Sequence, residues 1–133
     1  MNTAAVARVQ QLCVLVENRP GALAEIVRSL GQRGINILAI NLAEGLDHGY
    51  VRLVVDRPDD ALRILSTTTH LVFTRDALAI PLEHRPGALG EVLELWGRSG
   101  VNVDYAYVGL TADCRPLLIA HVDQPDRAQE LLS

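Results

Sequence analysis

Lysine is absent from this 133-residue chain: all 12 basic residues are arginine, set against 16 acids for a formal charge of −4 at pH 7. The arginines are scattered along the sequence instead of forming a stripe, so the positive footprint that a phosphate backbone needs is missing and nucleic acid is not an expected partner. Aromatic residues are scarce as well. One Phe, three Tyr and one Trp are too few to make a sheet that stacks bases. Tyr105 and Tyr107 alternate on one strand face without basic residues around them, which points to packing at a domain or subunit interface. Only two cysteines occur, Cys13 in a strand-like run and Cys114 in a hairpin-like loop, which excludes a disulfide framework and a CxxC site and leaves one core thiol and one surface thiol. Long apolar runs are lacking too. The stretches 12–16 and 117–120 fall far short of the roughly 20 residues that span a bilayer, and the N-terminus has no charged-then-apolar signal pattern. A cytoplasmic location away from membranes is expected. What the chain does have is hydrophobic content, 49%, enough to bury a core without metals or disulfides.

The chain also has a repeat. Arg19-Pro20-Gly21-Ala22-Leu23 followed by Glu25 returns as Arg85-Pro86-Gly87-Ala88-Leu89 followed by Glu91, an offset of 66 residues from Pro20 to Pro86. The same offset carries Gly34-Ile35-Asn36-Ile37 onto Gly100-Val101-Asn102-Val103. A duplicated loop implies a duplicated site.

Around each loop the element pattern is the same. Residues 9–17 are apolar almost throughout, as in a buried strand, and Asn18-Arg19-Pro20-Gly21 supplies the turn residues that end it. A helix begins near Ala22, with Leu23, Ile26, Val27 and Leu30 on one face and Gly34 in position for a left-handed cap. Leu89, Val92, Leu93, Trp96 and Gly100 repeat this. Residues 35–43 read as a second strand, 44–49 as a polar connection and 50–55 as a third strand, the two forming a hairpin. Pro58-Asp59-Asp60 and Pro125-Asp126 each open a second helix, with proline suited to the first turn and acids to the helix dipole. Residues 71–74 then read as a fourth strand and 78–83 as the first strand of the next unit, parted by a polar break at Arg75-Asp76. The expected domains are therefore 1–75 and 76–133. The fold class is α+β, two tandem ferredoxin-like βαββαβ units with antiparallel sheets and helices on one face. The second unit reaches Ser133 directly after its second helix and so lacks its last strand. Residues 2–8 or a neighbouring subunit are expected to cover the bare edge.

The loops carry the candidate chemistry. A Pro-Gly junction between strand and helix leaves the first helical amides pointing outward, a setting that attracts a carboxylate. Asn36 and Asn102, each at the start of a strand and expected beside its own loop, add a carbonyl to accept from an ammonium and an amide to donate. Together they suit a zwitterion. The plainer reading is that Pro-Gly turns the chain and Asn tolerates an awkward backbone angle, but the joint recurrence of loop and Asn favours a site.

The run 14–23 (Val-Leu-Val-Glu-Asn-Arg-Pro-Gly-Ala-Leu), followed by Arg33-Gly34-Ile35-Asn36-Ile37, resembles the opening of an ACT domain, and the first unit resembles the regulatory subunit of acetolactate synthase in particular. The resemblance covers nearly the whole chain as two tandem units. It implies small-molecule sensing, with the effector generally held between two paired domains. The positions that match the effector-binding motif are Asn18, Gly21, Asn36 and Ile37, with Ala22 and Leu23 supplying amides. The second unit keeps Gly87, Ala88, Leu89, Asn102 and Val103 but has His84 where the first has Asn18, a change that sets the two sites apart. His84 either donates to a ligand carboxylate, sensitive to pH near 6.5, or is a solvated loop residue. Arg19 and Arg85, before Pro20 and Pro86, either clamp a carboxylate or are solvated.

No metal or cofactor is expected: His48, His70 and His121 share no zinc-site spacing. Catalysis is not expected either. An Arg and an Asn near the first loop resemble an acylphosphatase arrangement, but no Ser-His-Asp or Cys-His order stands out and neither loop has the glycines to wrap a phosphate. The expectation is a regulatory protein that binds a free, apolar or branched-chain amino acid, forms a homodimer and modulates a partner, with a metabolic enzyme as a candidate. The alternative is a constitutive interaction subunit whose loops are structural.

Overall fold

Alternation along the first strand sets up the core of the first unit. In the computed structural model, which describes residues 6–68 and 71–133, β1 (Ala7–Glu17) buries Leu12, Val14 and Val16. The first unit comprises Gln10–Arg75. After β1 it contains α1 (Ala22–Gly31), β2 (Ile37–Ala43), β3 (His48–Val55), α2 (Pro58–Ser66) and the opening of β4 (Val72–Pro81). Its strand order is β2-β3-β1-β4. Antiparallel pairing sets Leu12 opposite Leu53 and Glu17 opposite His48, and the Leu15 amide donates to the Leu71 carbonyl at 3.0 Å. Ile26 and Leu30 of α1 and Leu65 of α2 pack against Val14, Val51, Leu53 and Val55 to make one cluster. This is the expected 3.6-residue face meeting the expected alternating face.

The second unit comprises Asp76–Ser133 together with residues 6–9. It holds the rest of β4, α3 (Ala88–Arg98), β5 (Val103–Leu110), β6 (Pro116–Val122) and α4 (Pro125–Leu131), with strand order β4-β6-β5. Leu78, Ile80, Val92, Trp96, Leu118, Ala120 and Leu132 form its core, and Val6 packs against them. Arg8 reaches α4, hydrogen-bonding Gln129 at 3.2 Å and pairing with Asp126. Of the N-terminal residues expected to cover this unit's edge, Val6 and Arg8 meet its core and α4, while residues 2–5 of that expectation, and His70, lie outside the described residues.

Several boundaries differ from the sequence reading: β1 starts at Ala7, not at residue 9, and β3 at His48, inside the expected connection 44–49, because Glu17 pairs with His48. Two strands parted at Arg75-Asp76 were expected, but Val72–Pro81 is one strand. Residues 73–76 are exposed, so a charged pair costs nothing in a strand there and does not mark a turn. β2 starts at Ile37, not at residue 35: the Asn36 amide is taken by the Asp56 side chain ahead of the ladder, and Ile35 serves the core from the preceding turn. Cys13 is buried, which pushes its thiol pKa up by desolvation, and Cys114 is exposed. Among the described residues no helix is long and apolar enough to cross a membrane.

Trp96 is fully buried and donates from Nε1 to the Ala128 carbonyl at 3.1 Å, tying α3 to α4. Trp96→Ala removes both the packing and this bond and is expected to cost about 3–5 kcal/mol of stability, as measured by chemical denaturation.

Candidate functional site

Both loops turn on a left-handed glycine. Gly21 (φ 85, ψ −14) and Gly87 (φ 89, ψ −14) sit directly before α1 and α3 in nearly the same conformation. A residue with a Cβ pays about 1–2 kcal/mol there. No side chain caps either helix. The Ala22 amide donates to the Arg19 carbonyl at 3.3 Å and the Ala88 amide to the Arg85 carbonyl at 3.4 Å, which closes the turns. The next amides, of Leu23 and Ala24 and of Leu89 and Gly90, have no acceptor among the described residues. They are the donors that a helix start offers to an anion.

Each loop arginine is held between two glutamates. Arg19 bonds Glu17 at 2.8 Å and Glu25 at 3.2 Å; Arg85 pairs with Glu83 and bonds Glu91 at 2.8 Å. The hydrogen bonds that Arg19 donates to Glu17 and then Glu25 raise its pKa, and those that Arg85 donates to Glu91 and then Glu83 raise that of Arg85. In return, the Arg85 hydrogen bond holds the Glu91 carboxyl below its ordinary value. Each guanidinium is thus engaged by carboxylates of its own unit while staying partly exposed. Glu25 and Glu91 were visible in the repeat; Glu17 and Glu83 recur at the same offset and were the signal left unread.

The two loops differ in what faces them. Asn18 Nδ2 donates to the carbonyls of Gly45 (3.3 Å) and Leu46 (3.2 Å) in the β2–β3 turn, and its backbone amide bonds the Asp47 carbonyl at 2.8 Å. The cavity beside this loop, lined by Asn18, Leu23, Leu42 and Gly49 among others, measures about 160 Å³. A cavity of about 440 Å³ at the second loop lies on a different side, against α3 and the last helix, and is lined by Leu82, His84, Arg85, Ala88, Val92 and Leu132 among others.

Asn36 and Asn102 do not lie beside their own loops. The Asn36 amide bonds Asp56 Oδ1 at 3.0 Å and the Asp56 amide returns to the Asn36 carbonyl at 3.1 Å. Asn102 and Asp123 repeat this at 2.9 and 3.0 Å. These pairs stand where β2 and β5 begin, whereas Glu17 and the first loop lie beside His48, at the far end of the hairpin. Seven strand residues, about 20 Å, separate Asn36 and Ile37 from Gly21 in the same unit. Asn102 and Val103 are likewise remote from Gly87, since Leu82 bonds Pro116 while Val103 pairs with Val122. The helix between loop and Asn runs back along the strand, which an offset in sequence does not reveal. His121 lies 3.0 Å from Asp104 and stacks on Tyr105 with ring centroids 5.1 Å apart.

A Cβ at Gly21 would meet nothing within 4 Å, so Gly21→Ala should cost only the backbone term, about 1–2 kcal/mol, read as a lower denaturation midpoint without loss of fold. Arg85→Ala should raise the Glu91 carboxyl pKa toward the ordinary value of about 4.3, as followed by side-chain carboxyl NMR titration. The Glu91 contribution is thus present above that unfolded-state value and lost as pH falls through the lower folded one.

With this geometry the comparisons are direct. The ACT domain pair family matches residues 7–133. The crystal structure of protein BT0572 from Bacteroides thetaiotaomicron is similar with a TM-score of 0.84 at 30% identity, over 98% of this chain and 89% of that one. The ligand-free regulatory subunit of aspartate kinase from Thermus thermophilus gives 0.66 at 16% identity, over 98% and 97% of the two chains. That from Thermus flavus gives 0.59 at 18%, over 96% and 94%. At these identities the Thermus subunits share the fold. No curated protein matches the chain. Two loop-helix units in tandem, the match from residue 7 to the last residue and the likeness to BT0572 agree: the chain belongs to the ACT domain pair family.

Proposed function

We propose that this protein is a non-catalytic sensor that binds a free amino acid at its Pro-Gly loops and regulates a partner. The observation that carries this is the pairing, in both loops, of uncapped helix-start amides with an Arg held by two glutamates. The amides suit a carboxylate. The two glutamates leave each loop one negative charge in excess beside that donor set, which suits an ammonium. Leu23 with Leu42, and Leu82 with Val92, offer apolar walls, so a branched-chain or similarly apolar amino acid is the effector class.

In this reading the sensor is made of two ACT domains, 1–75 and 76–133, with the effector contacting Asn18, Arg19, Pro20, Gly21, Ala22 and Leu23, or His84, Gly87, Ala88 and Leu89. Because Asn36 and Ile37, like Asn102 and Val103, stand about 20 Å from the loop of their own unit, they reach a ligand only where units pair. A homodimer in the cytoplasm is part of the proposal. The aspartate kinase regulatory subunits of the same fold support a metabolic enzyme as partner. A constitutive interaction subunit is the second reading, favoured by the engagement of Asn18 and Arg19 within their own unit.

A thermal-shift screen against the twenty amino acids separates the two, since a ligand of the folded state raises its melting temperature. One or a few related apolar amino acids should give a shift, lost in Gly21→Asp and Gly87→Asp together, which put a carboxylate where the effector's would lie. No shift at millimolar ligand would sink the sensor reading. Retained binding in the folded double variant would sink the site assignment.

A further inference from the structure

The arginines that look scattered in sequence are not all scattered in space. Arg33 follows α1, Arg57 precedes α2 and Arg63 lies within it, yet all three line one cleft of about 350 Å³ in the first unit. A single acid, Asp60, stands among them, bonded to Arg57 at 3.4 Å and paired with Arg63. The Arg33 guanidinium has no acid partner among the described residues. Three guanidiniums against one carboxylate leave the cleft with two positive charges in excess, in a chain whose net charge is −4.

The fold does not require these charges. Arg57 Nη2 caps the Arg33 carbonyl at 2.8 Å. In the second unit the same junction is capped by Gln124, bonded to the Gly100 carbonyl at 2.9 Å, and by Arg127, bonded to the Ser99 carbonyl at 3.1 Å. Aligning Gly34 with Gly100 and Pro58 with Pro125 places Ser99, Gln124, Arg127 and Glu130 where the first unit has Arg33, Arg57, Asp60 and Arg63. That set is neutral. One copy of the duplicated unit thus closes the junction without excess charge, and the other adds two cations to an open cleft.

We infer that this cleft binds a small phosphate-bearing dianion, a phosphate monoester or diphosphate, separately from the Pro-Gly loops. One planar guanidinium fork satisfies a carboxylate; several forks around one cleft suit the multiple acceptor oxygens of a phosphate. Buried Ile35 and half-buried Ile64 in the lining leave room for a small apolar part of an ester. The cleft volume lies at the low end for small-molecule sites, which favours a metabolite over a polymer.

The test is isothermal titration of the full chain with inorganic phosphate and with pyrophosphate at low salt, alongside Arg33→Gln/Arg63→Gln and Arg98→Gln. Both altered positions of the double variant are exposed, so its melting curve without anion should match that of the parent. Saturable binding weakened at least tenfold in the double variant and unchanged in Arg98→Gln is the expected result. Amide NMR shifts of the unaltered protein on adding pyrophosphate should cluster at residues 33–35 and 57–67, a readout that does not depend on how the variants fold. No binding of either anion at millimolar concentration, equal weakening by Arg98→Gln, or shifts centred on the Pro-Gly loops would each overturn the assignment.

Discussion

The junction at Gly21 and Gly87 is the constraint on which each unit depends. The chain must leave a strand, reverse and enter a helix within four residues, and only a left-handed backbone angle just before the helix does this without a capping side chain. Because no side chain then occupies the helix start, the turn that makes the fold compact is also what leaves donors outward. Arg19 and Arg85 brace the turn from below, each spanning a glutamate before the loop and one in the helix. These pairs are exposed, so their worth lies in fixing loop geometry more than in stability.

The fold was largely legible in the sequence, because the alternation in 50–55 and the helical face of Leu23, Ile26, Val27 and Leu30 are local patterns and appear as β3 and α1. The extent of β4 was not. Arg75 and Asp76 look like a break only if charge is taken to mean a turn, and where strand side chains face solvent it does not. The loops were also legible, since they occur twice. The placement of Asn36 was misread for a topological reason: proximity in sequence to the loop is undone by the direction of the intervening helix. The cleft of Arg33, Arg57 and Arg63 was invisible for the opposite reason, since its members are joined only by folding.

The two copies of the unit keep the loop and exchange the core: residues 17–23 and 83–89 differ only at Asn18 and His84, whereas Val14, Val16, Ile26 and Ile35 are matched by Ile80, Leu82, Val92 and Val101. Asn18 fastens its loop to the hairpin turn, and His84 at the matching place lines a cavity against α3 instead. Trp96 and Leu30 occupy matching core positions with different volumes, and each cluster is filled. Core positions tolerate exchange as long as volume is made up nearby; positions that hold a loop in register do not, so a change there alters what the loop admits.

The grouping of residues 6–9 with Asp76–Ser133 bears on how such a protein can be recombined. Sequence similarity draws the seam between the repeats at residue 75, but Val6 and Arg8 serve the core and the last helix on the other side of that seam. A genetic exchange that swapped only the second half would pair a foreign α4 and core with native leading residues. The heritable module is therefore discontinuous in the gene, and its two pieces must travel together for either half to be replaced.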